Sequence, residues 1–140
     1  MRFKPFFLVL AVVTGCAHDD PRLQGTWHSN RNATVAAIFQ RDPRWTNATP
    51  KQVEGFGDMF GYTTITYDKG TMTINARWQV HSHRYRVVDR GPDFVVIRSD
   101  AATYKDHDLR LRFVDGDSGY WIETGGLGSG LEERFDRVKK

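Results

Sequence analysis

Residues 71–80 read TMTINARWQV, and in them Met72, Ile74, Ala76, Trp78 and Val80 alternate with polar residues. Successive side chains leave a strand on opposite sides, so a period of two marks a strand with one dry face. The stretch therefore predicts one continuous strand. Residues 62–68 precede it across a tight turn at 68–70, DKG, which makes the pair a hairpin. Further strands are expected at 84–89, 94–99, 109–114 and 120–124, separated by the turn stretches RGPD, SDAATYKDHD and DGDSG. In LRLRF, Leu109, Leu111 and Phe113 go inward while Arg110 and Arg112 face water.

Upstream of the hairpin the period lengthens. The tripeptide NAT occurs at 32–34 and again at 47–49, and in each case it is read as the polar cap of a helix start. At the second, Thr49, Pro50 and Gln52 stand where a capping box with proline at the first helical position needs them. Val53, Phe56 and Phe60 then share one face, and Gly61 ends the helix. At the first, Val35, Ile38 and Phe39 are helically spaced, with a stop by Asp42 because Pro43 disfavours helical geometry before it.

The two ends of the chain decide whether the sheet closes. Leu131, Phe135 and Val138 are spaced like a helix, with Ser129 and Glu132 as a possible capping box. A strand is the competing reading and is preferred, because a meander leaves two open edges that closure removes. Residues 25–30 would be its partner.

Before that first strand, Arg2 and Lys4 precede an apolar run from 6 to 13, the pattern of a secretory signal. A membrane-spanning helix needs about 20 apolar residues, so this run is no permanent anchor. Val13, Thr14 and Gly15 then lead into Cys16, the one cysteine of the chain, and this resembles the bacterial lipobox. The resemblance implies cleavage before Cys16, lipidation of its sulfur, and Cys16 as the first mature residue. With Ala17 rather than aspartate next, it implies the outer membrane of a Gram-negative cell, facing the periplasm. The chain thus divides into a lipoprotein signal peptide at 1–15, a lipidated tether at 16–22 and one domain at 23–140.

Without Arg2 and Lys4, 18 basic residues remain against 17 acidic ones. That balance, with no Lys and Arg cluster interleaved by aromatics, gives no reason to assign a nucleic-acid partner. His81 and His83 could share a strand face and reach one metal, but no third ligand is near, and they are placed on a wet face opposite Trp78 and Val80. Asp106, His107 and Asp108 read as a polar loop, since neighbours on an extended chain point apart. GGLGSG at 125–130 lacks the lysine of a phosphate loop and reads as a connection. No catalytic residue, metal or cofactor is assigned.

At LQGTWHSN, residues 23–30, a glycine, any residue and a tryptophan fall on the first strand of a meander. This resembles the lipocalin and fatty-acid-binding superfamily. Small bacterial lipoproteins with a lipocalin-like domain are similar at GTW, at FGYTTITYD (60–68), at YRVV and at ERFDRV. The resemblance implies a mainly β fold, an antiparallel up-and-down barrel in which Gly25 and Trp27 close one end beneath Arg134 or Arg137, with the two helices as a lid. Fatty-acid-binding proteins have ten strands and this chain shows eight, a barrel just wide enough for its own side chains or one small ligand.

The expected function is a non-catalytic, lipid-anchored binding module. A small apolar or amphipathic ligand would sit in the barrel mouth among Phe56, Phe60, Tyr67, Trp78 and Tyr85. The alternative is a protein-interaction role, such as an inhibitor or immunity protein against a periplasmic toxin or wall hydrolase, with contacts from Trp45 and the 100–108 loop.

Overall fold

The computed structural model describes residues 19–101, 108–124 and 130–139. Over these the chain runs β1 (Gly25–Ser29), α1 (Arg31–Arg41), a 3-10 turn (Pro43–Trp45), α2 (Pro50–Gly57), β2 (Thr63–Asp68), β3 (Thr71–Ala76), β4 (Gln79–Arg90), β5 (Phe94–Ser99), β6 (Asp108–Val114), β7 (Gly119–Thr124) and β8 (Leu131–Arg137). The eight strands pair in sequence order, all antiparallel, and β8 returns to β1 to close a barrel. The last segment is a strand, as edge closure requires. Cys16 and the signal residues lie outside the described residues, as do Asp106, His107 and 125–129 of GGLGSG.

The alternation that predicts the fold is real but is broken once. Residues 71–80 form two strands, because the chain reverses between Ala76 and Gln79. Arg77 takes a positive φ of 50° in that turn, a geometry that side chains other than glycine adopt at a cost of roughly 1 kcal/mol. Two contacts hold it there: its guanidinium lies 3.9 Å from the Tyr62 ring centre and donates to the Asp58 carbonyl at 2.5 Å. Met72 and Ile74 face inward as expected. Trp78 and Val80 do not belong to that dry face: Trp78 sits in the turn, 88% exposed, and Val80 is 64% exposed. The expected start of β4 at 84 moves back to Gln79.

The helices also shift. α1 begins at Arg31 and its cap is Asn30, whose side chain accepts from the Ala33 amide, so Asn32 and Thr34 lie within the helix. Thr34 is fully buried, and its hydroxyl accepts the Arg134 amide of β8 at 2.9 Å. α2 has the expected capping box of Thr49 and Gln52 with Pro50 in its first turn, but it ends at Gly57, before Phe60 and Gly61. The domain also starts earlier than 23. Arg22 bridges the Asp20 carboxylate to the Gly91 and Pro92 carbonyls, and Asp19 accepts from the Tyr85 hydroxyl at 2.7 Å. Residues 19–22 are thus part of the folded body.

The core is aromatic. Trp27, Phe113, Tyr120 and Phe135 stack through the lower barrel, with Trp27 and Tyr120 ring centres 4.7 Å apart and those of Tyr120 and Phe135 5.4 Å apart. Tyr67 and Tyr85 meet edge to face at 5.3 Å. Rings that bury 150–250 Å² each dominate the energetics of so small a core.

Candidate functional site: lid cleft, barrel mouth and hairpin tip

The closed end is built from β1 and β8. Trp27 and Arg137 are cross-strand partners, so their side chains leave the same face. The Arg137 guanidinium lies 4.1 Å from the Trp27 ring centre and donates to the Gln24 and Arg22 carbonyls at 2.6 and 2.5 Å. Gly25 has φ 115°, and a Cβ there would stand 3.2 Å from an Arg137 nitrogen, which suits glycine on both counts. Arg137 is therefore inside, not on a wet strand face. Arg134 points outward, forked between Asp136 and Asp115 at 2.7 Å each. Beside this end, burial would push the Asp20 carboxyl up, but hydrogen bonds from Arg22 outweigh it and hold the group below its ordinary range.

Tyr67 and Tyr85, expected at a ligand, are committed to this packed interior. Both are buried, and the Tyr67 and Tyr120 hydroxyls approach to 3.4 Å. The Tyr85 hydroxyl also binds the Asp19 carboxylate, so burial first and that carboxylate second push its ionisation up. A phenol in this position stays neutral at physiological pH and serves as a hydrogen-bond donor.

At the opposite end stands a carboxylate that the sequence reading did not single out. Glu133 is on the inward side of β8 with Phe135, buried to 7% exposure. The Ser29 hydroxyl donates to it and accepts the Gly61 amide at 2.9 Å. Loss of water pushes the Glu133 pKa up from its ordinary 4.5, and the Ser29 hydrogen bond offsets part of that. The signal was present in the alternation Leu131, Glu133, Phe135, where one inward position carries a charge. Its effect is structural: the hydroxyl ties the exit of the lid to the last strand.

The lid holds the remaining expected aromatics. Phe56 packs on Phe39, Trp45 and Phe60 at 5.7, 5.0 and 5.4 Å between ring centres. Trp45, expected as an exposed contact, is half-buried in this cluster. Between α1 and α2 lies an open cleft of about 620 Å³, with Val35, Ala36, Phe39 and Val53 on its apolar walls and Arg31, Asn32 and Glu54 at its polar margin. Arg31 is held by an ion pair with Asp58 at 3.0 Å. No sequence period reports this cleft, because a period gives the face each helix presents and not the angle and spacing at which two helices meet.

The structure disperses the other candidates. Trp78 is at the hairpin tip, 88% exposed and not among the packed rings of the lid. His81 and His83 share a face with Tyr85, the inward side of β4 carried past the barrel rim, with rings stacked at 6.2 Å. The expected wet face and the expected dry face of that stretch are thus exchanged. His83 lies 3.8 Å from Asp100, and the described residues contain no group of three or more His, Cys, Asp or Glu placed to hold a metal ion. Asp108 opens β6 and accepts the Arg98 fork at 2.7 and 2.9 Å, which lowers its pKa.

Compared with known protein families, curated proteins and solved structures, the chain matches none.

Proposed function

We propose that this protein is a non-catalytic binding module, displayed at a membrane through lipid on Cys16, whose small amphipathic ligand occupies the cleft between α1 and α2. The cleft carries the reading. Its volume of about 620 Å³ falls in the range of small-molecule sites, about 300–1,000 Å³, while the barrel beneath is filled by its own rings and serves as scaffold. Apolar walls with a polar margin suit a molecule with a greasy body and a polar head. Phe56 supports those walls through Phe39, and Phe60 packs on Phe56 in turn.

The position of the first folded residues supports an orientation. Only Ala17 and His18 separate Cys16 from Asp19, which is hydrogen-bonded at the closed end of the barrel. Acyl chains on Cys16 would draw that end to the bilayer and leave the lid facing the periplasm, where a ligand can reach it.

Native mass spectrometry of protein purified from its own host tests the ligand, with Ala36→Phe as the cleft-filling variant. A small-molecule adduct present on the natural chain and lost from a folded Ala36→Phe supports the proposal. An adduct that survives the substitution, or none on the natural chain, overturns it. Cys16→Ser tests the anchor, since a variant still in the membrane fraction would rule out lipidation as its cause.

A second reading, a protein-interaction role, is favoured by one observation: Trp78 and Val80 project into solvent from a hairpin whose β4 arm extends past the end of β5.

A further inference from the structure

β4 is longer than its neighbour. It pairs with β3 along Gln79–Arg84, whereas its pairing with β5 begins only at Tyr85 opposite Ser99. Arg84 marks where the outer edge opens: its amide donates to the Asp100 carboxylate at 2.9 Å, and its carbonyl accepts the Asp100 amide at 3.1 Å. Peptide groups alternate sides along an antiparallel strand, so those of Ser82 and Val80 point the same way. No strand among the described residues pairs with them there. Proteins normally blunt such an edge with charge, proline or a covering loop. This one presents Val80 and, at its tip, Trp78.

Charge selects the occupant. Arg84 and Arg86 follow Val80 and Ser82 on the outer face, and together with Arg98, Ser99 and Asp100 they line an open groove of about 350 Å³. Arg98 is committed to Asp108, and Asp100 to the Arg84 backbone, with His83 at 3.8 Å. Arg86 acts on Asp108 only at a distance, and Arg84 has no ion pair among the described residues. A second copy pairing antiparallel on this edge would set Arg84 opposite Trp78 or Val80 and leave the arginines without a counter-charge, whereas a segment carrying carboxylates supplies one.

We propose that the edge of β4 at Val80 and Ser82 docks an extended segment of a partner protein, with an apolar residue beside Val80 and a carboxylate two positions along that reaches Arg84 and Arg86. Backbone hydrogen bonds would supply affinity and the alternate side chains specificity, as in other strand additions. This surface is separate from the lid cleft, so loss of the small-molecule adduct does not bear on it.

The probe is a capped synthetic peptide of about six residues that carries valine and glutamate two positions apart, with threonine between them, followed by amide hydrogen exchange and heteronuclear NMR on the folded domain. Slowed exchange at Val80 and Ser82, with shifts confined to β4 and its groove, supports the proposal. Val80→Pro removes one edge donor at a position where an edge strand tolerates proline, and should weaken the peptide by about tenfold or more with Tm unchanged. Arg84→Ala should also weaken it, and added salt should lower affinity. Equal binding of the lysine counterpart would overturn the charge argument. Amides of Val80 and Ser82 already protected in the monomer, or protected by concentration-dependent dimerisation, would overturn the proposed partner.

Discussion

Replacing Arg137 by leucine should cost about 3.5 kcal/mol of folding stability, reckoned from two charge-assisted hydrogen bonds at about 1.5–3 kcal/mol each and a ring contact at about 0.5–1 kcal/mol. The low end applies because Arg137 is half-buried and water can partly replace it at the Gln24 and Arg22 carbonyls. A loss of that size is a large part of the roughly 5–15 kcal/mol available to a small domain, and it corresponds to a fall of about 10 °C in Tm. Urea unfolding followed by tryptophan fluorescence reads it directly. Arg137→Lys should recover less than half, since an ammonium cannot span two carbonyls while lying flat on Trp27. A double-mutant cycle with Trp27→Phe should give a coupling of about 1 kcal/mol. A loss below about 1 kcal/mol for Arg137→Leu would show that closure of this end rests on strand pairing alone, and the role given to the arginine would be wrong.

Glu133 binds its proton more tightly folded than unfolded, so its ionisation destabilises the fold, progressively as pH rises from the unfolded value and fully above the folded one. Stability of Glu133→Gln relative to the natural chain should therefore grow from pH 4 to neutrality, by about 1.4 kcal/mol for each pH unit between the two values, and parallel urea curves across that range would contradict this. Thr49→Ala removes the hydroxyl half of the capping box and leaves the Gln52 side chain on the amide of residue 49; it should cost about 1 kcal/mol, visible as faster amide exchange in α2. Trp78→Ser should change unfolding stability by no more than about 0.5 kcal/mol, although tryptophan is the largest side chain, and a loss of several times that would place the ring in a contact the structure does not show.

Much of this molecule is written in local pattern. A strand's period of two depends on nothing but which side chains face water, so the meander and the capped second helix follow from residue order, whereas 131–137 is spaced like a helix and the need to close the sheet's edges makes it a strand. That Gly25 and Trp27 close a barrel end is implied by the resemblance carried by GTW; their spacing by itself says only that they share a strand face.

What escaped local reading depends on partners distant in the chain. The reversal at Arg77 carries no glycine, asparagine or aspartate to announce it; Tyr62 and the Asp58 carbonyl hold the turn, and from order alone 71–80 looks like one strand. That single reversal sends Trp78 and Val80 into solvent and puts His81 and His83 on the inward side, because every side chain beyond a turn takes its face from the new register. The docking of Asp19 and Asp20, the choice of Arg137 over Arg134 above Trp27, and the cleft between α1 and α2 were decided in the same way. Each is a meeting of surfaces from different elements, and alternation along a chain reports burial without saying what lies opposite.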